Sequence, residues 1–520
     1  MQDELLVVGG GAMGAGIAIV AARAGYAVTV VEPDAGSRER GAARGLKDGV
    51  ELTWAAEIPA RSNARMAIEA VPERFDLKRD VFVRLAASLD VDAILATNTS
   101  SLSVADLAAV VPHPERVVGI HFFNPPAKMA LVEVVERPEN SDEAIEAASA
   151  FVERIGKTAV MAADTPGFIV NRVARPFYLQ SMRALDRGVA SVPELDALAR
   201  AMGFRMGPFE LIDMIGLDVN LATTESVYQR LEAERLAPLA TQRALVAQGR
   251  LGRKTGAGFY EYSTGDPERI DLHVEPLQPD ETNIEEIVTV VGFGGNAEPI
   301  AAMLDAHFAT VERIEFDEAI DEIDPQTTIV IDIGDGVADR GDVIVRLDAR
   351  LAPEAVILVD AYATDLEAVA RRMRHPDRLV GFGLLGAFES QYAVEIVDSE
   401  RASDDALALA QEIFEMLGKG VMLVENVPGL FLGRVVGAIV NEAMIAVQEE
   451  VASPDDVDTA MRLGVNYPAG PIAWGREIGG ARIAKILKSV AREEGEAFGP
   501  HRSLWVLDQE PDEVSDEVRA

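Results

Sequence analysis

The chain contains no cysteine. That excludes disulfides and thiolate metal sites, and it accords with a cytoplasmic protein. Histidine is scarce too: six are scattered over 520 residues with no HExxH and no paired spacing, so no metal site is expected. No apolar run is long enough to span a bilayer, and the N-terminus lacks the basic stretch of a secretory leader. Neither a membrane segment nor a signal peptide is therefore expected. Basic residues are in deficit, 48 Lys and Arg against 86 Asp and Glu. The net charge of −38 argues against nucleic acid or an anionic membrane as partner. The deficit is uneven. Residues 1–262 hold 34 acidic and 28 basic side chains, residues 263–520 hold 52 and 20. The first half can accept an anionic ligand; the second reads as a solvated surface with little use for phosphates.

What is present begins with a strand-like run, Glu4–Val8, followed at once by Gly9-Gly10-Gly11-Ala12-Met13-Gly14 and a helix-like Ala15–Ala24. A second strand, Ala27–Val31, closes on Glu32. This is GxGxxG in its required setting of strand, turn, helix, strand and acid. Gly9 permits the turn, Gly11 lets backbone approach a pyrophosphate at the helix start, and Gly14 allows close packing. Ala12 and Met13 complete the cofactor loop. Glu32 is placed to accept from a ribose hydroxyl and to repel a 2′-phosphate, which favours NAD. Further on, Leu95–Val135 gathers three chemistry-bearing groups: Thr97-Asn98-Thr99-Ser100-Ser101 after one apolar run, His121 at the end of another, and Glu133 within a third. Strand ends meet where α/β folds bind ligands, and a histidine beside a carboxylate and a hydroxyl can move a proton.

Alternating strands and helices continue to Thr158–Met161. From Asp164-Thr165-Pro166-Gly167 the pattern turns helical, with one long helix expected from Phe168 to about Asp186 and Asn171 in its first turns. Lys254-Thr255-Gly256 lies in a Gly-rich tail. After an acidic, Pro-containing linker the chain restarts with Ile287–Val291 and Gly292-Phe293-Gly294-Gly295, and the second half parallels the first at an offset of 262. His113-Pro114-Glu115-Arg116 matches His375-Pro376-Asp377-Arg378, and Pro166-Gly167 matches Pro428-Gly429. The expected organisation is an α/β Rossmann domain (1–162), an all-α domain (163–262), a linker (263–284), a degenerate Rossmann-like domain (285–424) and a second helical domain (425–520). The duplication is an internal control. Opposite His121 stands Gly383, opposite Ser100 Tyr362, opposite Asn171 Gly433, opposite Asn124 Gly386 and opposite Gly14 Ala297. Glu298-Pro299 obstructs a phosphate-binding helix start, because Pro has no N–H and Glu repels phosphate. Glu133, by contrast, keeps a counterpart, Glu395.

These motifs together, with Gly207-Pro208-Phe209-Glu210-Leu211, resemble the 3-hydroxyacyl-CoA dehydrogenases over all of the first copy. The second copy, with Gly464-Val465-Asn466-Tyr467-Pro468-Ala469-Gly470-Pro471, resembles the extra module of the long bacterial form of the phenylacetate-degradation type. The resemblance implies oxidation of a 3-hydroxyacyl-CoA by NAD, with 3-hydroxyadipyl-CoA or 3-hydroxybutyryl-CoA as substrate. It assigns His121 as general base, Glu133 as its orienter, and Ser100 and Asn171 to the substrate oxygen, with Asn124 also beside the substrate. Glu73, Lys78, Asn98 and Lys254 match positions that contact NAD. One stretch departs from the pattern. The family's helical hairpin that contacts CoA is shortened here to Pro33–Arg65, where Lys47, Arg61 and Arg65 are the cations on offer. A dehydrogenase of a non-CoA 3-hydroxy acid and a non-catalytic NAD-binding protein are therefore the alternatives. Arg172 and Arg175 are candidates for the distal carboxylate of an adipyl chain. The second copy is expected to bury the apolar face of Phe168–Asp186 with Leu430–Val447, which makes the chain a monomer of pseudo-dimeric halves or part of a homo-oligomer.

Overall fold

Short Val-, Ile- and Leu-rich runs closing on glycine or polar loops build two strand systems, as expected for sheets covered on both faces. The structure, a computed structural model, describes residues 3–277, 284–292, 296–315, 317–334 and 340–509. Phe293, Gly294 and Gly295 of the second glycine loop, and residues 278–283 of the linker, lie outside the described residues.

The first sheet contains β1 (Glu4–Val8), β2 (Ala27–Val31), β3 (Thr53–Ala55), β4 (Met66–Glu69), β5 (Ile94–Thr97), β6 (Val117–Phe122), β7 (Leu131–Glu136) and β8 (Thr158–Ala163). Their order is β3-β2-β1-β4-β5-β6-β7-β8. Every pairing is parallel except β6 with β7, which is antiparallel and sets His121 directly opposite Glu133. The two are thus cross-strand neighbours and not residues at the ends of parallel strands. Val7, Val30, Ile68, Ala96, Ile120 and Val134 supply the buried core of this layer. The shortened stretch after β2 forms one helix, Ala35–Lys47, capped by Asp34 accepting from the Ser37 N–H at 2.7 Å, and then the edge strand β3.

The second sheet repeats the plan without the extra edge strand. It holds β9 (Ile284–Val291), β10 (Phe308–Ile314), β11 (Ile329–Asp332), β12 (Val356–Asp360), β13 (Leu379–Gly383), β14 (Ala393–Asp398) and β15 (Gly420–Glu425). The order is β10-β9-β11-β12-β13-β14-β15, again with a single antiparallel pair, in which Gly383 faces Glu395.

The chain divides into two compact units that cut across the two copies. One comprises Met1–Ala174, Thr223–Glu232 and Ile445–Pro471; the other comprises Arg175–Ala222, Ala233–Met444 and Ile472–Ala520. In the first unit, helix Pro454–Gly464 from the second copy packs on β7, β8 and helix Val170–Val173. Gly464 is required there: a Cβ would lie 2.8 Å from Leu131 and 3.0 Å from Val170. The neighbour of Val170–Val173 is thus this helix, downstream of Leu430–Val447. The expected single helix from Phe168 to Asp186 is two helices, Val170–Val173 and Arg175–Asp186. Pro176 explains the break, since it has no N–H for the Arg172 carbonyl and its ring crowds that turn.

In the second unit, two buried aspartates fasten the Gly-rich tail. Asp196 accepts from Phe209 N–H at 2.9 Å, Glu210 N–H at 3.0 Å and the Tyr260 hydroxyl at 2.7 Å. Asp213 accepts from Phe259 and Tyr260 N–H, both at 2.9 Å, and from the Tyr262 hydroxyl at 3.0 Å. The repeat offset lengthens in this region from 262 to 263: Gly216 and Gly479, with φ of 104° and 92°, end corresponding helices.

Candidate active site

The three glycines of the first loop differ in what surrounds them. Gly9 has a φ of 108°, and a Cβ there would sit 2.6 Å from the Ala70 carbonyl oxygen. At Gly14 a Cβ would lie inside contact distance of the Gly9 carbonyl. Both are glycine for the turn and for close packing. Gly11 has nothing within 4 Å of its Cβ position and precedes helix Ala12–Arg23 with no side-chain cap. Backbone N–H groups therefore face open space at a helix start, which is what a phosphate needs. Glu32 accepts from Gly10 N–H at 2.8 Å and Asp34 N–H at 3.0 Å, so its carboxylate is held beside this loop at the end of β2. The residues present fit a dinucleotide.

The proton-handling pair lies farther along the same sheet. His121 Nδ1 is 2.6 Å from Glu133 Oε2, with His121 5% exposed and Glu133 fully buried. The other oxygen of Glu133 accepts from Ile169 N–H at 3.1 Å and Val170 N–H at 2.9 Å. One carboxylate thus orients the imidazole and pins the start of the helix that carries Asn171. With Nδ1 committed to Glu133, Nε2 is the nitrogen left to exchange a proton with a ligand. Phe123 and Phe168 flank the ring, with centroids at 4.7 and 5.6 Å.

The loop after β5 is organised by a residue on another strand end. Glu73 accepts from Ser100 and Ser101 N–H, each at 3.0 Å, from the Ser101 hydroxyl at 2.9 Å and from the Thr99 hydroxyl. Lys78 stands behind it, 1% exposed, with its ammonium 3.1 Å from Glu73 and 2.7 Å from Glu69. Burial pushes the Glu73 carboxyl upward, but Lys78 and the hydroxyl donors outweigh it and leave the group below the usual range. For Glu69 burial prevails and the carboxyl stands above it. Sequence reasoning missed Glu69; an acid closing the apolar strand Met66–Glu69 was its signal. It also missed Asp164, which accepts from the Ser103 hydroxyl and the Val104 and Ala105 N–H groups at 2.8 to 3.0 Å and so fixes the helix behind the loop.

Asn98 accepts from Phe122 N–H at 2.8 Å, tying the β5 loop to the strand of His121. Parallel register aligns Thr97 with Gly119, so Ser100, just past β5, and His121, near the end of β6, belong to neighbouring strands. Asn124 is exposed just past β6, before a cis bond to Pro125. Lys254 belongs to the other unit, where its ammonium pairs with Asp218. Arg172 is buried against Glu449 at 2.6 Å, and buried Arg175 lies over the Tyr178 ring. Arg65 pairs with Asp92 at 3.1 Å and Arg61 approaches Asp90 at 4.0 Å, both exposed.

The corresponding corner of the second sheet is filled. Tyr362, where the first copy has Ser100, is 1% exposed and donates its hydroxyl to Glu395 at 2.9 Å. A Cβ on Gly383 would lie 2.9 Å from the Tyr362 ring, and one on Gly433 would lie 2.6 Å from it. The three exchanges are therefore coupled: one tyrosine ring takes the space that a histidine and an asparagine would need. Glu298 pairs with Arg313 at the start of helix Ala297–Leu304.

Comparison with known proteins extends these observations. A family described as "3-hydroxyacyl-CoA dehydrogenase, NAD binding domain" matches residues 4–165 and 288–427. One described as "3-hydroxyacyl-CoA dehydrogenase, C-terminal domain" matches 167–262 and 429–511. The chain is 34% identical to a 3-hydroxyadipyl-CoA dehydrogenase of Escherichia coli over 95% of its own length and 94% of that protein. It is 35% identical to a 3-hydroxybutyryl-CoA dehydrogenase of Mycobacterium tuberculosis over 49% of this chain and 97% of that one. The crystal structure of 3-hydroxybutyryl-CoA dehydrogenase from Escherichia coli K12 is similar with a TM-score of 0.77 at 32% identity, covering 97% of this chain and 98% of that one.

Proposed function

The chain belongs to the 3-hydroxyacyl-CoA dehydrogenase family, and from that premise we propose that its first copy oxidises a (S)-3-hydroxyacyl-CoA with NAD while the second has no turnover of its own. The observation that carries this reading is the pairing of His121 with Glu133 at 2.6 Å on adjacent strands of the sheet that also carries the glycine loop, open at Gly11. NAD held there by Gly9, Gly11, Gly14 and Glu32 would supply the hydride acceptor for C3 of the substrate. His121 Nε2 takes the proton of the 3-hydroxyl as hydride leaves, and Glu133 stabilises the imidazolium. Ser100 and Asn171 hold the substrate oxygen. Glu32 receives the adenosine ribose, and Asn98 borders the nicotinamide side. Lys78 acts through Glu73, which shapes residues 99–101.

The acyl group is a 3-hydroxyadipyl chain on the strength of the relative of that name, which is matched over 95% of this chain and 94% of its own length. A second reading, 3-hydroxybutyryl-CoA, is favoured by one feature: Arg172 and Arg175 are both buried with partners of their own. NAD reduction measured with both esters and with the free hydroxy acids, on the wild type and His121→Ala, tests all of this. Turnover of an ester that collapses in the variant is the expected result, and the preferred ester decides the chain. Turnover of free acids alone would move the enzyme to a non-CoA substrate. NAD binding with no turnover would make it a non-catalytic binding protein.

A further inference from the structure

The second half of the chain is strongly acidic, 52 acidic against 20 basic side chains, yet its basic residues are not evenly spread. A cavity of about 1010 Å³ opens at the carboxyl ends of β11, β12 and β13 in the second unit. Six of the twenty cations in residues 263–520 line it: Arg340, Arg372, Arg482, Lys485, Lys488 and Arg492. Arg340, Arg372 and Arg482 pair with Asp332, Asp342 and Asp360. Lys485, Lys488 and Arg492 are exposed and have no carboxylate within ion-pair distance among the described residues. They recur at i, i+3 and i+7 of helix Gly480–Glu494, so one face of that helix is a basic wall.

The carboxylates that also line the cavity are occupied by N–H donors or by Arg482. Asp508 accepts from Gly480 and Ala481 N–H at 2.6 and 2.8 Å, Asp365 from Ala368 N–H at 2.9 Å, and Glu477 from Ala387 N–H at 3.1 Å. Asp360 accepts from Tyr362 N–H at 2.9 Å and from Arg482. None of them neutralises the three cations of the wall. The first copy supplies the control. At the offset of 263, the positions of Lys485, Lys488 and Arg492 hold Ala222, Glu225 and Gln229. The wall is therefore a property of the second copy and not of the repeated fold.

We infer that this cavity binds a nucleotide carrying more than one phosphate, as a ligand that is held and not turned over. Lys485 and Arg492 lie roughly 10 Å apart along the helix axis, too far to share one phosphate. The ligand must therefore spread its charge, as a pyrophosphate or a nucleotide phosphorylated at two positions does. Apolar Ile333, Leu385, Ile478 and Ile486 line the same cavity and can cover a base or acyl portion. Its volume is at the upper end of small-molecule sites. Strand carboxyl ends are where such folds place ligands. Tyr362 closes the inner end where a base would have to stand, which removes chemistry without removing the cleft.

The test is calorimetric titration of the full chain with ADP, NAD and CoA in parallel, each at low and moderate salt. It is repeated on K485A/K488A/R492A and on the charge-preserving K485R/K488R/R492K. The expected result is a binding event in the wild type, additional to the NAD and CoA binding proposed for the first copy, that weakens with salt. It should weaken about tenfold or more in the alanine variant and persist in the charge-preserving one. The nucleotide that loses most affinity names the source: CoA for a 3′-phosphorylated ligand, NAD for a pyrophosphate-linked one. Equal binding of every nucleotide by wild type and alanine variant, or no binding by the wild type, overturns the inference. Turnover in the first copy is assayed separately, so failure of the dehydrogenase reading would leave this result standing.

Discussion

Tyr362 donates its hydroxyl to Glu395 at 2.9 Å, in the position where the first copy sets His121 against Glu133 at 2.6 Å. Glu395 still accepts from Phe431 N–H at 2.7 Å, as Glu133 accepts from Val170. The carboxylate thus keeps its structural task in both copies and faces a histidine only in the first. Tyr362→Phe should remove one donor from a buried carboxyl and cost about 1–3 kcal/mol of stability. Denaturant melts should show that loss with kcat unchanged; a fall in kcat would mean that the second copy takes part in the reaction.

Substitution of the first pair should separate its two tasks. His121→Ala should lower kcat by about two to four orders of magnitude and, by removing the donor to one oxygen of buried Glu133, cost about 1–3 kcal/mol of stability. Glu133→Gln should lower kcat while keeping an acceptor for Ile169 and Val170. Glu133→Ala should in addition strand those two N–H groups, at about 1–3 kcal/mol each. Steady-state kinetics beside thermal melts resolve the three variants.

Among the described residues, Lys78 is the cation paired with Glu69 and Glu73, at 2.7 and 3.1 Å. Lys78→Met should leave two glutamates without it, destabilise the protein by about 3–5 kcal/mol, and loosen residues 99–101. A variant with wild-type melting and wild-type KM for NAD would refute that role.

Burial disfavours the charge of several carboxyls and raises them above their ordinary values, furthest for Glu395 at about 7, Asp196 at about 7 and Asp332 at about 6. Between the ordinary carboxylate range and pH 7 the folded chain holds protons that the unfolded chain has released. Stability should therefore fall as pH rises through that window and level off above it. Melting temperature should be higher at pH 5.5 than at pH 8 by several degrees, and Glu395→Gln should narrow the difference. Glu73 and Asp218, held low, act in the opposite sense and matter only on the acid side of the ordinary range.

Helix Pro454–Gly464 covers β7, β8 and Val170–Val173. Removing residues 282–520 should uncover Leu131 and Val170 next to the strand of Glu133, and the truncated protein should aggregate or lose activity. A truncated chain that stays soluble, monomeric and fully active would show that the covering is dispensable.

The sequence alone determined the chemistry-bearing parts. A glycine loop between strand, helix and acid, a histidine closing an apolar run, and a duplication that discards that histidine are local patterns, legible because they depend on neighbours in the chain. Tertiary structure decided what depends on residues far apart. Only the antiparallel turn from β6 to β7 makes His121 and Glu133 cross-strand partners. Only packing shows that Tyr362 fills the space opposite Gly383 and Gly433, that Lys78 serves Glu73, and that Lys485, Lys488 and Arg492 face one cavity. A net charge sums over the chain and conceals such a wall, because electrostatics acts between groups that the fold brings together.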